Sequence, residues 1–300
     1  MNHRRAVVLM ILVSLLWSLG GIITRQLDAA RSFEVTFWRS LFCVLALTLA
    51  LSVMRGRALW QRIAHGGWPL WVSGICWSVM FTAYMVAMTL TSVANVLLAL
   101  ATCPLLTALC ARLFLKHRLP PRTWLAILAA GAGIAWMFGG ESHQGTSLLG
   151  TLVAFGPPLG SAINWTVLQA VARRGANDSA RQADDMLPAV LIGASLSALA
   201  TLPLALPWQA SLHDLTWLAS LGFVQLAIPC LLVVRVSRDL SAPEIALLGL
   251  LEVIFGVTWA WLGAGEQPSP NTLTGGALVI GALLANELLA LRRALRARSA

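Results

Sequence analysis

Glu252 is the residue that most needs an explanation. It lies almost at the centre of an apolar run over 241–262. A charged side chain at the middle of a bilayer costs roughly 2.5–3.5 kcal/mol on insertion scales. Such a group faces a bundle interior or water and takes a partner. No lysine lies in any apolar run to neutralise it. It suits two chemistries, a ligand for a substrate amine or a proton carrier. The plain alternative is a structural hydrogen bond between helices. Around it, the residue types able to build a small-molecule pocket are aromatic rings with a few polar groups. Trp17 and Trp165 are one such pair. Trp77 and Tyr84, seven apart, share a helix face. Asn164 adjoins Trp165, and Gln225 occupies the position that a repeat pairs with Trp77. The same residues also describe ordinary packing, because an indole gives a large contact area for one hydrogen bond. Arg39 is expected to snorkel to the outer headgroups or to pair with Glu34, five residues before it. Attraction of a substrate carboxylate is its other reading. Pro104 removes its own N–H and disturbs the carbonyl of Leu100, either shaping a polar centre or only kinking a helix. These eight side chains and Pro104 are the candidate substrate-binding set.

The elements that position them follow from composition. The 300 residues are 58% hydrophobic and 11% charged, with a mean hydropathy of +0.78. Only 21 basic and 12 acidic residues are available to cover a 32.1 kDa chain. A soluble enzyme, a nucleic-acid-binding domain and a disordered chain are thereby excluded. The net charge of +9 marks loops on one side of a membrane, not a nucleic-acid surface.

Ten apolar windows are long enough to span: 6–24, 34–54, 69–91, 93–114, 122–138, 149–171, 186–206, 215–234, 241–262 and 272–291. They must be helices, because a lone segment in lipid satisfies its backbone only that way. The fold class expected is an all-α integral membrane protein of ten transmembrane helices. The first window reads as a retained helix, too long for the apolar part of a cleaved signal. With both termini cytoplasmic, every basic residue except Arg25, Arg31 and Arg39 falls on inside segments, as the positive-inside rule requires. Trp60, Trp68, Trp124, Trp208 and Trp217 then sit at interfaces as belt anchors. Arg25 and Arg173 end their helices on opposite sides, where cations suit the helix dipole. Gly20-Gly21, Gly131, Gly133, Gly275-Gly276 and Gly281 permit close helix approach.

The chain repeats itself at an offset of 148–149. Trp17-Ser18 precedes Arg25 by the same spacing as Trp165-Thr166 precedes Arg173. The fourth and ninth windows align without gaps, placing Ser92 on Ser241, Asn95 on Glu244, Pro104 on Val253 and Pro121 on Pro270. Five helices per half is an odd number, so the second copy enters from the opposite side. Such inverted repeats place a substrate site between the halves near the midplane. The halves are residues 6–138 and 149–291, followed by a basic cytoplasmic tail over 292–300.

Leu16-Trp17-Ser18, Ser92 to Asn95 leading into Pro104, Leu250-Leu251-Glu252, Gly265-Glu266 and Gly275-Gly276 together resemble the EamA-type members of the drug/metabolite transporter superfamily. The resemblance covers about 6–291. It implies a bacterial inner-membrane protein, multi-pass with both termini inside, that exports amino acids or other small metabolites. Two departures bear on subfamily: Lys116-His117 stands where a Gly-Glu pair is common, and Val253 where many members carry Pro.

The function expected is secondary transport by alternating access, with a small-molecule substrate, the lipid bilayer and a coupling proton as candidate partners. Oligomeric state is open. A multidrug or cationic-compound exporter and a non-cycling channel or scaffold are the alternatives. No Gly-x-x-x-x-Gly-Lys-Ser/Thr motif supplies an ATP motor. No His-Glu-x-x-His or Ser/His pairing suggests an enzyme. Asp184-Asp185 reads as a solvated pair in a cytoplasmic loop. All five cysteines fall in apolar runs and the five histidines are scattered, so no metal and no cofactor are expected.

Overall fold

The computed structural model describes residues 2–24, 26–30, 32–91, 93–116, 119–138, 148–177, 185–264 and 270–299. All regular structure among them is helical. The order is α1 (His3–Thr24), α2 (Ser32–Arg55), α3 (Arg57–Ala64), α4 (Trp68–Leu90), α5 (Val93–Leu100), α6 (Cys103–Leu115), α7 (Pro121–Phe138), α8 (Leu148–Ala154), α9 (Gly156–Asn177), α10 (Leu187–Ala205), α11 (Leu212–Ser220), a π-helical turn (Leu221–Ala227), α12 (Ile228–Val236), α13 (Ala242–Gly249), α14 (Leu251–Ala264) and α15 (Pro270–Ser299). Among the described residues, six stretches are long and apolar enough to cross a membrane: His3–Thr24, Phe33–Arg55, Trp68–Ala87, Leu187–Ala205, the continuous Leu212–Val236 and Ala242–Trp259. Cys103–Leu115 and Leu273–Asn286 are shorter apolar helices.

The burial pattern is that of a protein solvated by lipid. Leu49, Val53, Leu113 and Phe114 are 67–80% exposed, while Ser14, Ser40, Ser73, Asn164 and Ser197 are fully buried. The buried polar groups bond between helices. Ser40 Oγ donates to Ser197 Oγ at 3.1 Å and Thr82 Oγ1 shares Ser197 at 2.9 Å, tying α2, α10 and α4 together. Ser73 Oγ donates to Asn164 Oδ1 at 2.6 Å, tying α4 to α9. Bonds of this kind supply cohesion where apolar surface alone gives no preference for protein over lipid.

Four of the expected windows are not single regular helices. The fourth breaks between α5 and α6 at Ala101-Thr102, and the ninth between α13 and α14 at Leu250. These two breaks coincide when the halves are aligned at offset 149. Pro104 explains the first. It stands in the first turn of α6, where its missing N–H is tolerated, and not in the middle of a kinked helix as the sequence suggested. The second break has no proline. There Leu250 N–H turns to Leu247 O at 3.2 Å and Val253 N–H to Leu250 O at 3.1 Å, a local tightening. The sixth window divides at Phe155 into α8 and α9. The eighth contains the π turn, which runs up to Pro229 in the first turn of α12. Two further differences concern the ends of windows. The basic 292–300 segment continues α15 as helix to Ser299. The loop after α2 holds α3, reached through Gly56 at φ 54°. Leu59 of α3 is buried and Trp60 is 54% exposed.

The helices pack in pairs that map onto one another when the first five windows are exchanged with the last five. The fifth packs on the tenth (α7, α15), the second on the seventh (α2, α10) and the fourth on the ninth (α6, α13). The third against the seventh (α4, α10) matches the eighth against the second (π turn, α2). The third against the sixth (α4, α9) matches the eighth against the first (α12, α1). Glycines set several of these approaches. A Cβ on Gly133 of α7 would stand 2.8 Å from Gly275 O of α15, and one on Gly275 2.5 Å from Gly133 O. Gly74 of α4 faces Ile192 of α10, and Gly222 lies against Arg39 O and Phe42 of α2. Gly74 and Gly222 are themselves 148 apart.

Candidate substrate cavity

Between these helices lies a cavity of about 140 Å3. Its lining comes from both halves of the chain. Trp17 of α1, Arg39 of α2, Trp77, Phe81 and Tyr84 of α4, and Cys103 of α6 face Ser161 and Trp165 of α9, Gln225 of the π turn, Gly249 of α13 and Glu252 of α14. The two helix breaks both meet it: Leu100 and Cys103 flank the first, and Gly249, Leu250 and Glu252 surround the second. Among the described residues, α7 and α15 contribute none to the lining.

Seven of the eight side chains singled out from sequence line this cavity, and Asn164 and Pro104 do not. Asn164 is fully buried behind the wall on Ser73, one residue and so about 100° round the helix from Trp165. Pro104 is buried at the start of α6 beside the lining residue Cys103. Sequence reading overlooked Phe81, Cys103 and Ser161. Phe81 was accessible to it, because it follows Trp77 by four and so shares its face.

Arg39 corrects the first expectation. It is only 5% exposed, so it does not snorkel. Nor does it pair with Glu34. Its Nη2 donates to Phe81 O at 3.0 Å, across to α4. Glu34, 1% exposed, accepts from Gln209 N and Ala210 N at 2.9–3.0 Å and from Trp38 Nε1 at 3.3 Å. Five residues along a helix is about 140° of rotation, so the two side chains leave α2 on different sides. Arg39 therefore lies on the cavity with Glu252. Among the described residues no ion pair within 4.0 Å joins them, and Glu252 stands in the first turn of α14.

The aromatic contacts follow the repeat. Trp77 and Trp165 meet edge-to-face with centroids 5.5 Å apart. At the related positions, Gln225 Nε2 donates to Trp17 O at 3.0 Å. Gly20 leaves the space this amide needs, since a Cβ there would stand 3.1 Å from Gln225 Nε2. Several polar atoms of this wall are buried without any hydrogen-bond partner: Arg39 Nε, Trp77 Nε1 and Gln225 Oε1, with Asn164 Nδ2 behind them.

Other sequence-marked residues lie away from the cavity. Asp185 is not merely solvated, because its Oδ2 stands 2.8 Å from Arg55 Nη1. Asp184 and Arg25 lie outside the described residues. Arg173 Nη1 donates to Leu115 O at 3.4 Å, so it serves the end of α6. Trp60, Trp68 and Trp208 are 53–62% exposed. Asp28, His213 and Asp214 bring ligand-type atoms together. Each is already engaged: Trp217 Nε1 donates to His213 Nε2, His213 Nδ1 faces Asp28, and Asp214 accepts from the Asp28, Ala29 and Ser211 N–H groups.

The sequence profile of the EamA-like transporter family matches residues 4–139 and again 148–286. The chain belongs to the EamA-like transporter family. It is a multi-pass membrane protein, as its apolar helices require. Two curated relatives of this EamA chain are the pseudopaline exporters CntI of Pseudomonas aeruginosa strains UCBPP-PA14 and PAO1. Each is 24% identical over 290 residues, covering 94% of this chain and 95% of the relative. A solved crystal structure superposes with a TM-score of 0.76 over 97% of this chain and 99% of its own, at 20% identity. That likeness is one of fold.

Proposed function

We propose that this EamA protein is a ten-span secondary transporter of the bacterial inner membrane, exporting an amino acid or similar small metabolite. The observation that carries the reading is the cavity walled by matching pieces of both halves, with Glu252 and Arg39 as its charged groups. The exchange of packing partners supports two inverted five-helix repeats over 6–138 and 149–291. In such a scaffold one set of contacts can be made on either side of the membrane, which is what alternating access needs. The paired breaks in the fourth and ninth windows are where helices can bend without losing a regular hydrogen-bond ladder. Export as the direction follows the printed function of the Pseudomonas relatives.

Glu252 binds the cationic group of the substrate, or a proton in its absence. Proteoliposomes preloaded with a panel of amino acids and small amines test the transport reading. Saturable counterflow of a labelled panel member is expected, and Glu252→Gln should reduce it about tenfold or more while the melting temperature holds. The amide keeps shape and most hydrogen-bonding capacity but cannot carry the charge. Flux that rises linearly without saturation or counterflow would point to a channel and sink the carrier reading. Single-cysteine labelling should report residues 145 and 268 outside, and 62 and 178 inside.

A further inference from the structure

We propose that the cavity is built for a dipolar substrate and that Arg39 holds its anionic end opposite Glu252. This rests on the transport reading and narrows its substrate class. The starting point is the imbalance of unmet polar atoms. Buried donors and acceptors are nearly always paired, so an unpaired one in a binding site marks a place for something else. Here Arg39 Nε and Trp77 Nε1 are unpaired donors on cavity-lining residues, and Asn164 Nδ2 is a third just behind. Gln225 Oε1 is the unpaired acceptor among them. The guanidinium of Arg39 is the charged donor group on the wall made by α2 and α4.

Arg39 is held for this task. Its Nη2 bond to Phe81 O fixes the side chain across to α4, one turn from Trp77. Gly222 lets the π turn approach the backbone of Arg39 closely, at 2.8 Å for a Cβ on Gly222. The guanidinium uses one donor on a neutral carbonyl and keeps its charge uncompensated by direct contact. Glu252 supplies the opposite charge from α14. Two opposite charges that line one cavity without touching leave room for a molecule carrying both. A carboxylate fits a guanidinium fork well. An ammonium fits Glu252 and the free oxygen of Gln225. The aromatic walls take an apolar remainder. A purely cationic drug would satisfy Glu252 and leave Arg39 repelling it, so the alternative of a cationic-compound exporter is disfavoured.

The test uses sets that share a carbon skeleton: L-leucine with isopentylamine and 4-methylpentanoate, and the corresponding amine and acid of L-methionine, L-phenylalanine and L-tryptophan. Binding to the detergent-purified full chain is read by thermal shift and by displacement, and transport by counterflow. At least one amino acid should bind, and its amine and acid should each bind about 10- to 100-fold more weakly, the range expected for losing a charged hydrogen bond. Arg39→Gln should weaken the amino acid and not weaken the amine, which is relieved of a repelling charge. Glu252→Gln should weaken the amino acid and not weaken the acid, which is likewise relieved of a repelling charge. Arg39→Lys keeps a positive charge but loses the planar fork, so it should weaken the amino acid and the acid, though less than Arg39→Gln does, and not the amine. A merely structural role for Arg39 would lower all affinities together. The inference is overturned if amines bind as well as amino acids, if no amino acid of the panel binds, or if Arg39→Gln leaves amino-acid affinity intact. Saturable counterflow of an amine at full rate overturns it while leaving the transport reading standing. Should Arg39→Gln not fold, Arg39→Lys and the wild-type affinities for the matched amino acid, amine and acid decide.

Discussion

Glu34 and Arg39 show how much a rotation of 140° decides. A sequence reader sees opposite charges five apart and pairs them. Helix geometry turns Glu34 toward the backbone N–H groups of Gln209 and Ala210 and Arg39 toward the cavity. The two side chains therefore have separable effects. Glu34→Ala removes the carboxylate that accepts from the part-buried Gln209 and Ala210 N–H groups, a loss of about 1.5–3 kcal/mol as for hydrogen bonds to a charged group. Its melting temperature should fall while substrate half-saturation stays at the wild-type value. Equal loss of affinity would mean the two residues act together. The Glu252 position was legible because one carboxylate in a long apolar run is conspicuous. Its neighbours were legible in part. Trp17, Trp77, Tyr84, Trp165 and Gln225 follow from spacing and repeat. Asn164 fails by a single residue, since adjacent helical side chains point about 100° apart. No linear signal marks the unpaired state of Arg39 Nε, which depends on what three other helices bring to it.

At the scale of elements, hydropathy marked ten windows, of which six hold long apolar helices among the described residues, and it hid their interruptions. An apolar run looks the same whether its helix is straight, broken or π-wound. Pro104 marks one break, but the partner break at Leu250 has only the preceding Gly249 as a hint. The glycine approaches carry a prediction of their own. Gly133→Ala would push Cβ against the α15 backbone, whereas Gly131 has nothing within 4 Å of a built Cβ. Gly133→Ala should cost about 1–3 kcal/mol as an overpacked contact. Gly131→Ala should be neutral or slightly stabilising, since alanine favours helix. Thermal unfolding of both variants in detergent checks the pair. Equal melting temperatures would mean that α7 and α15 are free to separate.

The whole molecule holds α2 and α10 together at both ends. Arg55 at the end of α2 meets Asp185 just before α10, and Glu34 at the start of α2 meets the segment just after α10. Between them runs the Ser40–Ser197 bond. A pair fixed at three levels moves as one body. Spin labels on α2 and α10 should therefore keep one distance distribution with and without substrate. Labels placed on α6 and α14, beyond the two breaks, should change theirs. A shifting α2–α10 distance would place the moving boundary elsewhere.

The repeat-related residues of the cavity are alike in one place and unlike in three. Trp17 matches Trp165, but Trp77 matches Gln225, Leu100 matches Gly249, and Cys103 matches Glu252. Identical halves would make the inward-facing and outward-facing forms mirror each other in free energy. Unlike residues at matched positions remove that degeneracy. In the proposed cycle the empty carrier then rests mostly on one side of the membrane. A resting bias reduces apparent affinity on the unfavoured side by the fraction of molecules facing it. Half-saturation measured from the two faces of the same proteoliposome should accordingly differ. Cys103→Glu combined with Glu252→Cys moves the carboxylate to its counterpart position and should shift that bias toward the opposite side.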